Sequence, residues 1–124
     1  MNDPSTYYIS VAGNDTNPGH AETSPLRTLG AASRRAADGD RILLRRGDVF
    51  RESAEFEARD IEINAYGDSG GELPVISGGA RLTGWTRFRD AIYVAETEDE
   101  IGYLYVDGDL MTIARYPNQG WLRT

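Results

Sequence analysis

The stretch from Gly39 to Tyr66, GDRILLRRGDVFRESAEFEARDIEINAY, decides the fold because it contains two short strand candidates. In the first candidate, Ile42 and Leu44 alternate with Arg41, Leu43 and Arg45; in the second, Ile61 and Ile63 alternate with acidic and amide residues. Alternation with a period of two indicates that one face packs while the other meets water. Each isoleucine of the second candidate follows its counterpart by nineteen positions. This return to the same phase predicts like strands stacked in parallel, as in a solenoid.

Composition restricts the classes of function. The chain has 124 residues, which is the size of one domain or part of one. Its formal net charge of -7 argues against nucleic acid and anionic membranes as partners. The absence of cysteine excludes disulfides and thiolate metal sites. No apolar run is of membrane-spanning length, and the first residues do not form a signal peptide.

A helix is predicted before the first repeat strand. Ser24 is a typical N-cap residue and Pro25 suits the first helical position, while Gly39 is suited to close the helix. Leu26 and Leu29 fall on one apolar stripe of this helix. Because the first coil of a solenoid otherwise exposes its core, the helix is expected to cap that end and to bury both leucines against the first repeat strand.

A cluster of turn-forming residues, 12–19, separates the predicted first strand, Tyr7–Val11, from the helix. The oxygens of Asn14, Asp15 and Asn17 are candidate calcium ligands. The alternative is that these side chains bond local backbone amides, and the spacing of an EF-hand is not present. The sequence therefore implies no required cofactor and leaves calcium as an alternative.

The second half of the chain, residues 80–124, is predicted to form a small antiparallel sheet and a domain separate from residues 1–79. Strand candidates span Leu82–Phe88 and Ala91–Ala95, and the Asp107-Gly108 dipeptide predicts a hairpin with a type I′ turn. Sugar stacking is the predicted use of its aromatic residues, although aromatic residues at this density also build cores. The carbohydrate-binding candidates are Trp85, Tyr103, Tyr105, Tyr116, Trp121 and the neighbouring Arg115.

Catalytic residues are not identified by any motif. Glycoside hydrolysis needs two carboxylates roughly 5–10 Å apart, and Glu55 and Glu57 would share a strand face. The alternative is that outward glutamates on a strand are simply solvated. Arg41, Arg45 and Arg46 are suited to an acidic sugar, or else have a structural role. The sequence has no Gly-rich phosphate loop and no Ser/His/Asp set.

Three segments together resemble the N-terminal region of right-handed parallel β-helix proteins of the pectate-lyase-like group, which includes polysaccharide lyases and β-helix glycoside hydrolases. The segments are YYISVAGNDTNPG followed by SPLRTLGAA, DGDRILLRRGDVFRE, and LTGW, IYVAE and LYVDGDLMTIARYPNQGW. The resemblance implies a mainly β fold: the start of a right-handed parallel β-helix with an N-terminal capping helix and a small antiparallel β insertion. It covers nearly the whole chain.

The resemblance implies that the chain is the cap and first coils of a secreted polysaccharide-active lyase or glycoside hydrolase. Catalytic residues of that group commonly lie on the outer face of later strands, so we expect no complete active site here. The expected partners are a polysaccharide or oligosaccharide, and either the rest of a parent chain or a second copy; the expected location is extracellular or periplasmic. The alternative function is a carbohydrate-binding module formed by residues 80–121.

Overall fold

The computed structural model describes residues 3–68 and 70–112. The chain divides into two compact units, Met1–Ala80 and Arg81–Thr124. Both units are built mainly from β-strands, and the one α-helix of the described ranges lies in the first. Among these residues no sheet closes into a barrel, and no helix has the length and apolar character needed to cross a membrane.

Five short strands and one helix form the first unit. Its β1, β2 and β4 strands pair in parallel in one three-stranded sheet, in that order, and β3 pairs in parallel with β5 in a second sheet. The parallel stacking predicted for the two repeat strands is thus confirmed. The elements are β1 (Thr6–Ile9), α1 (Leu29–Arg35), β2 (Arg41–Arg45), β3 (Val49–Phe50), β4 (Glu62–Tyr66) and β5 (Val75–Ile76).

The register between the repeat strands differs from the expected one by two residues. Ile42 lies opposite Ile63, not Ile61, and Leu44 lies opposite Ala65. Side chains alternate between the two faces of a strand, so a slip of two residues leaves every side chain on its original face. Hydrophobic alternation alone therefore could not separate a nineteen-residue repeat from the actual repeat of twenty-one.

The core of the first unit lies under the inner face of the three-stranded sheet. Ile9 and Ile42 are fully buried, and the helix adds Leu29, as expected from the apolar stripe. Leu26 is also fully buried, as predicted, although it lies outside the helix. The complete buried apolar cluster is Tyr7, Ile9, Leu26, Leu29, Ala31, Ala32, Ile42, Leu44 and Phe50.

The predicted helix start at Ser24 and Pro25 is wrong. The helix begins at Leu29, and Thr28 is its N-cap, with its side chain accepting a hydrogen bond from the amide of Ala31 at 3.1 Å. Leu26 is instead extended and forms a parallel bridge with Ile9. The backbone bonds of this bridge, 2.9 Å each from Leu26 N to Tyr8 O and from Ser10 N to Leu26 O, are incompatible with a helical turn at that point.

The helix also ends earlier than expected. Its last residue is Arg35, and Ala36 is already extended with a ψ of 137°. Gly39, the predicted closing residue, adopts its positive φ in a turn that precedes β2. The seven-residue helix is too short to be stable by itself, so packing of its three buried residues, Leu29, Ala31 and Ala32, holds it.

Two separate two-stranded antiparallel sheets form the described part of the second unit, where one small sheet was expected. The strands β6 (Thr86–Arg89) and β7 (Ile92–Val94) pair with an irregularity between Arg87 and Arg89. The strands β8 (Tyr105–Val106) and β9 (Asp109–Leu110) form the predicted hairpin. Its turn residues Asp107 and Gly108 have φ values of 51° and 87°, which confirms the positive φ that the Asp-Gly signal predicts at both positions.

Candidate functional site

Asp15 binds the residues that lead into the helix. Its Oδ1 accepts hydrogen bonds from the amides of Arg27 and Thr28 at 2.8 and 2.9 Å, and its Oδ2 accepts one from the Thr28 hydroxyl at 2.8 Å. Burial by itself raises the pKa of Asp15, but the hydrogen bonds from Thr28 and Arg27 and the charge of Arg34 outweigh it and lower the pKa overall. The carboxylate is therefore held ionised as a backbone acceptor.

The two asparagines of the same loop also make internal bonds. Asn14 Oδ1 accepts from the amide and the hydroxyl of Thr16 at 3.0 and 2.8 Å, and Asn17 Nδ2 donates to Pro25 O at 2.9 Å. The bond from the Thr16 amide is of the local kind that the sequence left as the alternative to calcium, whereas Asn17 donates to a carbonyl eight residues away. Within residues 3–68 and 70–112, no three His, Asp or Glu side chains converge as a metal site. Calcium binding by this loop stays a prediction.

Three further acidic side chains hold backbone amides in the first unit. The buried Asp40 accepts from Ser5 N and Ala37 N at 2.7 and 2.8 Å. Asp48 accepts through one oxygen from the Ser10 hydroxyl and the amide that follows it. Glu52 accepts from an amide of the first helical turn at 3.1 Å. These carboxylates stabilise loops and are not a pair facing a common substrate.

The glutamates considered as a catalytic pair do not share a strand. No strand includes residues 51–57, and Glu55 and Glu57 are exposed there. Glu62 instead forms an ion pair with Arg41, with 3.0 Å between Nε and Oε2, at neighbouring positions of β2 and β4. Both side chains are exposed, so water and salt weaken this pair.

Aromatic side chains in the described part of the second unit are exposed, and their use in sugar stacking stays a prediction. Tyr103 is 75% exposed and Tyr105 61%, and both Trp85 and Tyr93 are about half-exposed. The indole Nε1 of Trp85 donates to Leu82 O at 3.1 Å, which fixes one edge of the ring. The remaining candidates, Arg115, Tyr116 and Trp121, lie outside the described residues.

A second aromatic surface lies on the outer face of the three-stranded sheet, and the sequence analysis did not identify it. Tyr8 lies opposite Leu43, and Leu43 lies opposite Asn64, so Tyr8 and Asn64 are on the same face of the sheet. Tyr66 follows Asn64 by two residues and therefore points to that face as well. Their ring centroids are 5.0 Å apart with planes at 87°, an edge-to-face contact that spans β2. The pairing register was the missing signal, because the two tyrosines are far apart in sequence. We call this pair the Tyr8–Tyr66 corner.

Charged groups of both signs act on the pKa of the Tyr66 phenol. Partial burial raises the pKa of Tyr66; Arg45 lowers it, while Asp48 and Glu22 raise it, and the net effect is a raised pKa. Arg45 lies directly opposite Tyr66 in the pairing of β2 and β4. In the described part of the chain, neither the Arg45 guanidinium nor the Glu22 carboxylate has an ion-pair partner. The corner therefore combines apolar rings with hydrogen-bonding groups.

Comparison with known proteins gives relatives whose names refer to carbohydrates or glycosides. No family model matches the sequence. A lacto-N-biosidase of Bifidobacterium longum subsp. longum is 36% identical over 92 residues, an alignment that covers 64% of this chain and 6% of that protein. The chain thus spans about a sixteenth of the length of this curated relative.

Two solved structures resemble the chain over most of its length. One is described as a glycoside hydrolase: it has a TM-score of 0.63 and 26% identity, and the match covers 86% of this chain and 21% of that one. The other is XylC in complex with xylose, with a TM-score of 0.55 and 28% identity over 71% of this chain and 14% of that one. In each case the chain corresponds to a small part of a much larger protein.

Proposed function

We propose that this chain is the N-terminal cap and first coils of a right-handed parallel β-helix in a secreted carbohydrate-active protein of the glycoside hydrolase type. The observation that carries the proposal is the parallel pairing of β1, β2 and β4, with β3 and β5 paired alongside. Residues 41–50 supply β2 to the first sheet and β3 to the second, and residues 62–76 supply β4 and β5 in the same way. Successive coils of a solenoid stack in this arrangement. The relatives support the carbohydrate class.

The burial of inner-face residues falls from one coil to the next. Ile42 is fully buried, but its partner Ile63 in β4 is 48% exposed. In the second sheet Phe50 is 2% exposed and its partner Ile76 is 51% exposed. Ile42 and Phe50 belong to the buried core cluster, whereas Ile63 and Ile76 do not. This gradient supports a further coil, from the same protein, stacking on β4 and β5.

Hydrolysis is favoured over the lyase reaction because the curated relative and the first of the two similar structures carry hydrolase names. Several described carboxylates of the first unit hold backbone amides, as Asp15, Asp40 and Asp48 do, and Glu62 pairs with arginine. Glu55 and Glu57 are exposed on a segment that forms no strand. A glycosidase needs two carboxyl groups facing one bond. We therefore propose that this chain alone has no complete active site.

Self-association tests the proposed open end. An exposed sheet edge with half-exposed aliphatic side chains pairs with other chains, so the isolated chain should form concentration-dependent oligomers in light scattering across a dilution series. Ile63→Lys combined with Ile76→Lys should reduce this association. The matched control, Val11→Lys, changes an exposed aliphatic residue in a loop and should leave it unchanged. A wild-type chain that stays monomeric at all concentrations would refute the open end.

An activity assay tests the absence of an active site. The isolated chain should release no reducing ends from xylan or neutral oligosaccharides and no unsaturated products from pectin or alginate. Turnover of any of these by the purified chain, abolished by heat denaturation, would show that the active site is already complete.

The alternative function is a carbohydrate-binding module formed by the second unit. The observation that favours it is the exposure of Trp85, Tyr103 and Tyr105, since exposed rings are available for stacking on sugars. Titration of the chain with oligosaccharides, followed by tryptophan fluorescence, tests this alternative directly. The chain has two tryptophans, Trp85 and Trp121, and both belong to the second unit, so the signal reports on that unit.

A further inference from the structure

The Tyr8–Tyr66 corner is built on a rigid part of the fold. Tyr8 lies in β1, whose backbone bonds Gly19 O at 2.7 Å and accepts from Leu26 N at 2.9 Å. Tyr66 ends β4, and the amide of Arg46 donates to its carbonyl at 2.9 Å. Since both backbones are held on paired strands, the two positions from which the rings extend are fixed before any ligand arrives. Pre-organisation of this kind lowers the entropic cost of binding.

The chemistry of the corner fits a sugar ring. Both tyrosines are partly exposed, and Leu43 adds a partly exposed aliphatic side chain on the same face between them. Ligand sites are lined mainly by apolar and aromatic groups with a few placed polar ones. Here the polar groups are the two phenols and the donor Arg45, which lies directly opposite Tyr66 in the pairing of β2 and β4. A sugar presents an apolar C–H face and hydroxyls that both donate and accept.

The charges select a neutral ligand. Arg45 alone would attract an acidic sugar, but the chain as a whole carries a formal charge of -7, which disfavours anions. A neutral pyranose is not repelled by this charge, and its hydroxyls can accept hydrogen bonds from the guanidinium.

We infer that the Tyr8–Tyr66 corner binds a neutral pyranose unit of a glycan, with the rings stacking on the sugar and Arg45 bonding its hydroxyls. This rests on the proposed carbohydrate function and assigns its binding surface to the outer face of the parallel sheet instead of the second unit. The role is binding, and no bond is broken at the corner.

The test is a titration of the full, isotope-labelled 124-residue chain, followed by amide NMR, with xylotetraose, cellotetraose and trigalacturonate as probes. A neutral probe should shift amides of β1, β2 and β4. Tyr66→Ala should weaken binding about tenfold or more, and Tyr66→Phe, which keeps the ring, about fivefold or less. Arg45→Gln should weaken it by a similar fivefold. The matched control is Tyr103→Ala combined with Tyr105→Ala, which should change affinity by less than about twofold.

Three outcomes overturn the inference: stronger binding of trigalacturonate than of both neutral probes, loss of binding in the Tyr103 and Tyr105 control with retention in Tyr66→Ala, or no shift with any probe. A thermal melt accompanies each variant, and Tyr66→Phe and Arg45→Gln remain decisive where Tyr66→Ala does not fold. None of these outcomes bears on the stacking of further coils, which the self-association measurement tests separately.

Discussion

Leu29→Ala tests whether the helix belongs to the core of the first unit. Leu29 is the first residue of the helix and is 2% exposed. It shares one buried cluster with Ile9, Ile42 and Leu44. If the helix packs on the sheet as this cluster indicates, truncation of Leu29 leaves a cavity between the helix and the strands.

The expected loss has two parts. Removing three carbon groups from a buried site costs about 2.4 kcal/mol in transfer free energy, at ~0.8 kcal/mol each. The cavity adds to this, and buried Leu→Ala changes span about 2–5 kcal/mol. Because the helix is only seven residues long and can shift to fill part of the space, we expect about 3 kcal/mol. In a unit of the size of Met1–Ala80, this loss of unfolding free energy lowers Tm by roughly 12–24 °C.

The measurement is urea unfolding with thermal melting as a second probe. Leu73→Ala is the matched control, because Leu73 is 67% exposed and its truncation should cost less than about 0.5 kcal/mol. A loss below about 1 kcal/mol for Leu29→Ala, or equal losses for the two variants, would contradict the packing of the helix against the sheet.

Three further predictions concern single positions. Gly108→Val should disrupt the β8–β9 hairpin, because a β-branched side chain resists the φ of 87° at this position. The measurement is hydrogen exchange of the Met111 amide, which donates to Leu104 O and should exchange faster in the variant. Gly102→Val is the control. Gly13→Ala should destabilise the first unit, because its Cβ would lie 2.4 Å from Leu26 O, whereas Gly102→Ala meets open space; unchanged urea midpoints in both would contradict the close approach. Asp15→Asn should be less stable than wild type at neutral pH, and the difference should shrink as the pH falls. The pKa of Asp15 is lowered in the folded state. The stability that its carboxylate contributes is therefore fully present above the pKa of the unfolded state and is lost as the pH falls through the pKa of the folded state. A difference that stays constant down to the acid transition would contradict this role.

Local signals predicted several of the strands, among them β2, and the turn of one hairpin. The alternation around Ile42 and Leu44 placed β2 and its buried face correctly, and Asp107-Gly108 placed the hairpin turn. Ser24 and Pro25 gave an equally strong local signal, yet the helix begins at Leu29. The helix starts later because Leu26 pairs with Ile9. A backbone hydrogen bond to a distant strand overrides a local preference for helix.

The alternating pattern of the sequence alone indicates which side chains of a strand share a face, because a two-residue period sorts residues onto faces regardless of register. Only the tertiary structure decided the register of Ile42 against Ile63, since a slip of two positions preserves the pattern. That register in turn brings Tyr8 to Tyr66 across β2. Asp15, Asp40 and Asp48 were likewise assigned by the structure, because the amides that they hold come from distant segments. Contacts between residues far apart in the chain leave no local signal, and the candidate site consists of such contacts.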